Sequence, residues 1–252
     1  MAGHSKWANI KHKKAAVDAK KGKAFSKIAK EITVAARMGG GDPGANISLR
    51  PLLAKARSVN MPADNIDRAI KKGTGEGNES VVFDEIVYEG YAGDGVGIIV
   101  KCLTENKNRT AAEVRHCFNK ASNNLGQTGS VSRSFQRKGL ITFSKEDTEE
   151  VALLEAAMEA GAADFEEQED SFVITCEPTD YNSVSEDLDK AGFTAIDSEL
   201  TLVPDMLFEM TNVEKVKSVM AFIEALEELD DVQDVYTNMD VPDEIAEQLE
   251  DG

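Results

Sequence analysis

Lys23-Ala24-Phe25-Ser26-Lys27-Ile28-Ala29-Lys30-Glu31-Ile32-Thr33-Val34-Ala35-Ala36-Arg37-Met38 is the stretch on which the reading of this chain turns. Phe25, Ile28, Ala29, Ile32 and Ala36 recur at the i, i+3, i+4, i+7 offsets of a buried helical stripe. At about 100° per residue, Lys23, Lys27, Lys30 and Arg37 fall within about 80° of one another and nearly opposite that stripe. The spacing therefore predicts a helix with one packed face and one solvent-facing row of cations. Upstream, the lead-in carries Lys6, Lys11, Lys13, Lys14, Lys20 and Lys21 against the single acid Asp18, with Trp7 set among them. The lead-in has no apolar face of its own, so its charge is expected to meet a polyanion.

That expectation gains weight from the rest of the chain, which has 252 residues and a net charge of −18. Residues 1–72 hold 16 basic and 5 acidic residues, residues 73–140 hold 8 of each, and residues 141–252 hold 4 basic and 33 acidic. A basic front and an acidic rear make the molecule a strong dipole, attracted to a polyanion at one end and repelled at the other. No apolar run approaches a membrane span, and the N-terminus lacks the apolar region of a signal peptide, so a cytoplasmic protein without a membrane partner is expected. Cys102, Cys117 and Cys176 are odd in number and far from metal-ligand spacing, which suits reduced thiols buried as small hydrophobes.

Working outward, Gly39, Gly40, Gly41, Asp42, Pro43 and Gly44 read as a helix stop and loop. Their literal match to a dinucleotide fingerprint lacks the preceding strand that such a loop requires. Asn46 or Ser48 can cap a second helix with Leu49, Leu52, Leu53 and Ala56 inward. Pro62 restarts a third, striped by Ile66, Ala69 and Ile70. The glycines from Gly73 to Gly77 mark a linker. Residues 81–91 and 96–103 are β-type runs around Gly93-Asp94-Gly95, predicting an antiparallel hairpin. Thr110 and Glu113 have capping-box spacing ahead of a helix that buries Val114, Cys117, Phe118 and Ala121. From residue 139 the pattern runs strand 140–144, helix 146–160, strand 171–176, helix 179–190, strand 193–203. A final helix through Val216, Val219, Met220, Ile223 and Leu226 precedes a strand at Val232, Val235 and Tyr236, which can complete the sheet begun at residue 81.

The fold class expected is thus α+β: an N-terminal three-helix domain followed by two α/β sandwich domains, the third inserted in the second. The boundaries are 1–75 for the basic helical domain with its lead-in, 79–138 plus 204–240 for the second domain, 139–203 for the acidic third, and 241–252 for an acidic tail.

For chemistry, the chain offers no Ser/His/Asp order, no ligand-spaced His/Cys set and no phosphate loop in proper context, so no catalytic residue, metal or cofactor is expected; an enzyme with a paired-carboxylate site among the scattered acids is the remote alternative. Trp7 can stack on a base, a contact worth about 1–3 kcal/mol by truncation to alanine, or dock the lead-in onto the protein core. His4 and His12, with no cysteine near, suit polar contact with a phosphate or base. Arg109 and Arg115, with Arg133, Arg137 and Lys138, can form a second basic patch beside the hairpin; otherwise they line a solvated helix face. The nucleic-acid-binding residues expected are His4, Lys6, Trp7, Lys11, His12, Lys13, Lys14, Lys20, Lys21, Lys23, Lys27, Lys30, Arg37, Arg109 and Arg115. With no heptad or other evident dimer seam, a monomer is expected.

Several motifs together resemble the YebC family. They are Ala2-Gly3-His4-Ser5-Lys6-Trp7, Ile10-Lys11-His12, Lys20-Lys21-Gly22-Lys23 and Gly39-Gly40-Gly41 near the front; then Tyr88-Glu89-Gly90-Tyr91, Asn108-Arg109-Thr110, Glu113-Val114-Arg115-His116, Asn124-Leu125-Gly126 and Leu229-Asp230-Asp231-Val232-Gln233. The resemblance spans essentially the whole chain, although residues 145–200 match in pattern more than in residues. It implies three domains without catalytic chemistry and a role in gene expression. The family label of probable transcriptional regulator implies DNA binding. The mitochondrial translational-activator relatives, and a role in helping ribosomes through consecutive prolines, imply ribosomal RNA and the ribosome as partners. A helix-turn-helix reader would seat its second helix in the major groove and dimerise on half-sites. The short helices of residues 46–72 offer few base-reading side chains, which favours recognition of structured RNA by shape and backbone.

Overall fold

The structure, a computed structural model, describes residues 19–76, 82–168 and 170–250. The lead-in up to Asp18, with His4, Lys6, Trp7, Lys11, His12, Lys13 and Lys14, lies outside the described residues, as do the side chains of Lys20 and Lys21. The elements in chain order are α1 (Ala19–Gly39), α2 (Leu49–Ser58), α3 (Ala63–Thr74), β1 (Asp84–Ala92), β2 (Val96–Thr104), α4 (Lys107–Lys120) and β3 (Asn124–Leu125). After a 3₁₀ turn at Ser132–Ser134 come β4 (Phe135–Ser144), α5 (Glu150–Glu159), β5 (Asp164–Glu167), β6 (Ser171–Cys176), α6 (Tyr181–Lys190) and β7 (Asp197–Pro204). The chain closes with β8 (Phe208–Glu209), α7 (Val213–Glu227), β9 (Val232–Thr237), β10 (Met239–Asp240) and α8 (Asp243–Glu250).

The described chain divides into two compact units. One is built from residues up to Ser130 together with Val213–Tyr236, the other from Val131–Asn212 with residues from Thr237 onward. In the first, α1, α2 and α3 enclose a core of Ile28, Ile32, Leu49, Leu53, Ala56 and Met61. Each fully buried isoleucine or leucine there stabilises by about 1.5–3 kcal/mol. Gly73 lets α3 lie against α1, because a Cβ at that position would stand 2.4 Å from the Thr33 carbonyl oxygen and 2.8 Å from Ala36 Cβ. It is therefore a helix-packing residue and only Gly75, at φ 76°, ends the helix. Asn46, fully surrounded, ties the loop down: its amide donates to Ala35 O and Gly40 O at 2.8 Å each and its Oδ1 accepts from Leu49 N. Ser48, although next to α2, makes no side-chain cap.

The first unit also holds a four-stranded sheet in the order β3-β1-β2-β9. β1 and β2 pair antiparallel from Asp84↔Thr104 to Ala92↔Val96 around the expected glycine turn. β9, more than a hundred residues downstream, joins the free edge of β2, so the intervening block is inserted, as the pattern predicted. α4 and α7 cover the sheet, with Phe118 and Phe222 edge to face at 4.9 Å. The cap of α4 differs from expectation. Asn106, not Thr110, is the N-cap, accepting the Arg109 backbone N–H; the helix starts at Lys107, so Thr110 lies inside it and its hydroxyl turns to Asp231.

The second unit is a split βαβ arrangement: four antiparallel strands in the order β5-β6-β4-β7 with α5 and α6 on one core of Phe143, Leu153, Phe172, Ile174, Val184 and Leu188. β5 escaped the sequence pattern because Asp164, Glu166 and Glu167 leave only Phe165 as an apolar cue; it pairs as an edge strand with β6. Residues 243–250, read from composition as a tail, form helix α8.

Candidate nucleic-acid interface

The cation row of α1 is where sequence and structure diverge. Lys23, Lys27 and Lys30 do line up, but they face the segment after α7 within the same unit. Lys23 Nζ donates to Glu228 O at 2.9 Å and pairs with the Glu228 carboxylate. Lys27 Nζ lies 3.3 Å from both Glu227 O and Gln233 O. Lys30 Nζ donates to Asp230 O at 2.7 Å and to Asp231 Oδ1 at 2.9 Å. The expectation that these three lysines stand as free cations in solvent is therefore corrected, although Lys23 keeps part of its side chain exposed. Carbonyls and carboxylates of a distant loop satisfy them because the loop leaves α7 with its acceptors aimed at the helix.

Asp231 is the hub of this contact. Its Oδ2 takes Arg109 Nη2 at 2.7 Å, the Thr110 hydroxyl at 2.8 Å and the Thr104 hydroxyl at 3.1 Å, while the whole residue is 2 % exposed. Burial alone would raise its pKa, but the hydrogen bonds from Arg109, Lys30 and Thr110 outweigh that and hold it down at about 2. Arg109 is accordingly held within the chain and is not a free patch residue. Cys102, buried beside this cluster, has its thiol pushed up to about 12 by burial and by the Asp231 charge. Arg133, Arg137 and Lys138 belong to the second unit, where Lys138 pairs with Glu177 at 2.5 Å.

Other cations of the first unit stand free. Arg37, Arg57, Arg68 and Lys71 on α1–α3, and Arg115 on α4, are exposed and make no ion pair among the described residues. Of the residues expected to bind nucleic acid, Arg37 and Arg115 thus stand open in the described structure. Arg50 instead donates to Pro43 O and Gly44 O at 2.6 and 2.7 Å, fixing the glycine loop.

Between α1 and α3 runs a cleft of about 580 Å³. Its floor is Ala29, Thr33 and Ala69, and Phe25 and Phe83 give it aromatic walls. Lys30, Arg68 and Lys72 supply positive charge against the single carboxylate of Glu105. Lys72 Nζ sits 5.6 Å and Lys30 Nζ 5.9 Å from the centre of the Phe83 ring, both within cation–π range. The cleft was not legible beforehand, since Phe83 reads as a strand residue and meets α1 and α3 only in the fold.

Residues 5–76 match the profile of the TACO1/YebC protein N-terminal domain, and residues 83–239 match that of the TACO1/YebC second and third domain. The chain belongs to the TACO1/YebC family. Among its TACO1/YebC relatives, a probable transcriptional regulatory protein of Pseudomonas fluorescens is 51 % identical over 99 % of this chain and 100 % of that protein. Another of that description, from Desulforapulum autotrophicum, is 49 % identical with the same coverage of both chains. The crystal structure of a conserved hypothetical protein from Aquifex aeolicus superposes with a TM-score of 0.84 at 45 % identity, covering 94 % of this chain and 97 % of that one. No helix among the described residues of this TACO1/YebC chain is long and apolar enough to cross a membrane.

Proposed function

We propose that this chain is a non-catalytic regulator of gene expression that binds nucleic acid through its N-terminal helices and lead-in. The observation that carries the reading is the exposed set Arg37, Arg57, Arg68 and Lys71, free of acid partners among the described residues in a chain of net charge −18. Cations left without internal partners in so acidic a protein favour an external polyanion. The names of the relatives agree with a role in regulation.

Of the two nucleic acids, RNA fits the helical part better, and with it the second reading, a translational activator on ribosomal RNA. α2, the turn at Val59–Pro62 and α3 have the outline of a helix-turn-helix. Yet the opening turns of α3 carry Asp64 and Asp67, both exposed, at the end that a recognition helix points at base edges. Two carboxylates there oppose insertion between phosphate backbones, whereas Arg68 and Lys71 further along suit phosphates of an irregular strand.

Crosslinking in cells followed by sequencing of the bound nucleic acid tests the proposal. Enrichment of RNA, above all one ribosomal locus, is the expected result. Enrichment of promoter DNA would move the function to transcription, and enrichment of neither would overturn the proposal.

A further inference from the structure

The cleft between α1 and α3 has a composition that selects its ligand. Its volume of about 580 Å³ lies within the range of small-molecule sites. Lys30 is committed to Asp231 and to carbonyls, so it anchors the wall, whereas Arg68 and Lys72 make no ion pair among the described residues. Phe83 holds the Lys72 ammonium at the cleft edge, which places a charge ready for an anion. Asn65 adds an amide, both donor and acceptor, whose side chain has no hydrogen-bond partner among the described residues. On the α1 side Gly22, Ser26 and Ala29 are all small, leaving room beside the Phe25 ring.

A simple anion would use Arg68 and Lys72 but not the aromatic walls; an apolar ligand would leave the cations unpaired. A flat ring carrying a phosphate satisfies both sets at once. We infer that this cleft holds one unpaired nucleotide of a bound strand, its base against the Phe25 and Phe83 walls and its phosphate on Arg68 and Lys72. The inference rests on the proposed nucleic-acid function and specifies what that function would read: a single-stranded or looped-out base. A fully paired duplex keeps its bases stacked inside and has nothing to offer the cleft.

The test uses the full chain with a 12-nucleotide single-stranded RNA carrying one 2-aminopurine, and the same sequence as a blunt duplex, titrated at several salt concentrations. Phe83→Leu, which keeps apolar bulk but removes the ring, should weaken single-strand binding about tenfold with the salt slope unchanged, and leave duplex binding alone. Arg68→Gln with Lys72→Gln should flatten the single-strand slope of log K against log[salt] by about 1.4. The base fluorescence should be quenched by the parent protein and less so by Phe83→Leu. Circular dichroism reports folding, and if Phe83→Leu does not fold, the double variant decides. Folded variants that bind the single strand as the parent does, or that lose both nucleic acids equally, would overturn the inference while leaving the proposed function standing. Failure of the parent protein to bind either nucleic acid would overturn the proposed function itself.

Discussion

Lys30 and Asp231, 201 residues apart in sequence, form an ion pair of 2.9 Å whose carboxylate side chain is only 3 % exposed. The pair fastens α1 to the β2–β9 end of the sheet, and Arg109, Thr104 and Thr110 close around the same carboxylate. A buried acid with this many donors makes the joint between the helical part and the sheet a cooperative one, sensitive to any loss.

Asp231→Asn is expected to destabilise the protein by about 2–4 kcal/mol, because it leaves the largely buried Lys30 ammonium without its counter-charge and removes the acceptor shared by Arg109, Thr104 and Thr110. Urea unfolding should show a lower midpoint at an unchanged slope. A midpoint equal to the parent's would mean that the carbonyls of Leu103 and Asp230 hold Lys30 without the carboxylate.

The same residue sets an acid limit. Its folded pKa, about 2, lies below the unfolded aspartate value, so its contribution is complete above about pH 4 and is lost as pH falls toward 2. That contribution is about 2 kcal/mol. The stability gap between the parent and Asp231→Asn should therefore shrink by about this amount between pH 4.5 and 2, measured by denaturant titration at each pH. A gap constant over that window would show that Asp231 is not depressed.

Gly73→Ala should destabilise by about 1–3 kcal/mol through overpacking, although alanine is the better helix former by about 1 kcal/mol. The added Cβ meets the Thr33 carbonyl, which cannot rotate away as a side-chain tip would. Thermal unfolding checks the sign, and a stabilised variant would mean that α1 and α3 separate at little cost.

The two sets of cations should respond oppositely to removal. Lys27→Ala with Lys30→Ala should lower stability, since both ammonium groups hold the loop after α7. Arg37→Gln with Arg57→Gln should leave the melting temperature within about 2 °C. The arginine pair should also flatten the salt dependence of nucleic-acid binding by about 1.4–1.8. Binding titrations beside thermal melts distinguish the sets; a flattened slope in the lysine variant at unchanged stability would restore α1's lysine row as the phosphate face.

Local periodicity determined a good deal of this protein. The stripe of Ile28, Ile32 and Ala36, the Gly93–Gly95 hairpin turn, the βα alternation after residue 139 and the return of Val232 and Val235 to the first sheet are all legible, because apolar spacing reports which side of an element is buried. Spacing also aligned Lys23, Lys27 and Lys30 on one face. It carried no information on what that face would meet, since a lysine bound to a distant carbonyl and a lysine in water have the same helical offset. Asp230-Asp231 stood in the sequence as part of a familiar motif, without any sign that Asp231 would be buried among Lys30, Arg109, Thr104 and Thr110. Only the tertiary structure decided that Lys23, Lys27 and Lys30 bond within the chain, that Arg37, Arg57, Arg68 and Lys71 are exposed without ion pairs among the described residues, and that Phe83 closes a cleft on α1 and α3. The physical reason is that ion pairs form between groups hundreds of residues apart, so the partner of a charge is a property of the packed chain and not of its neighbours in sequence.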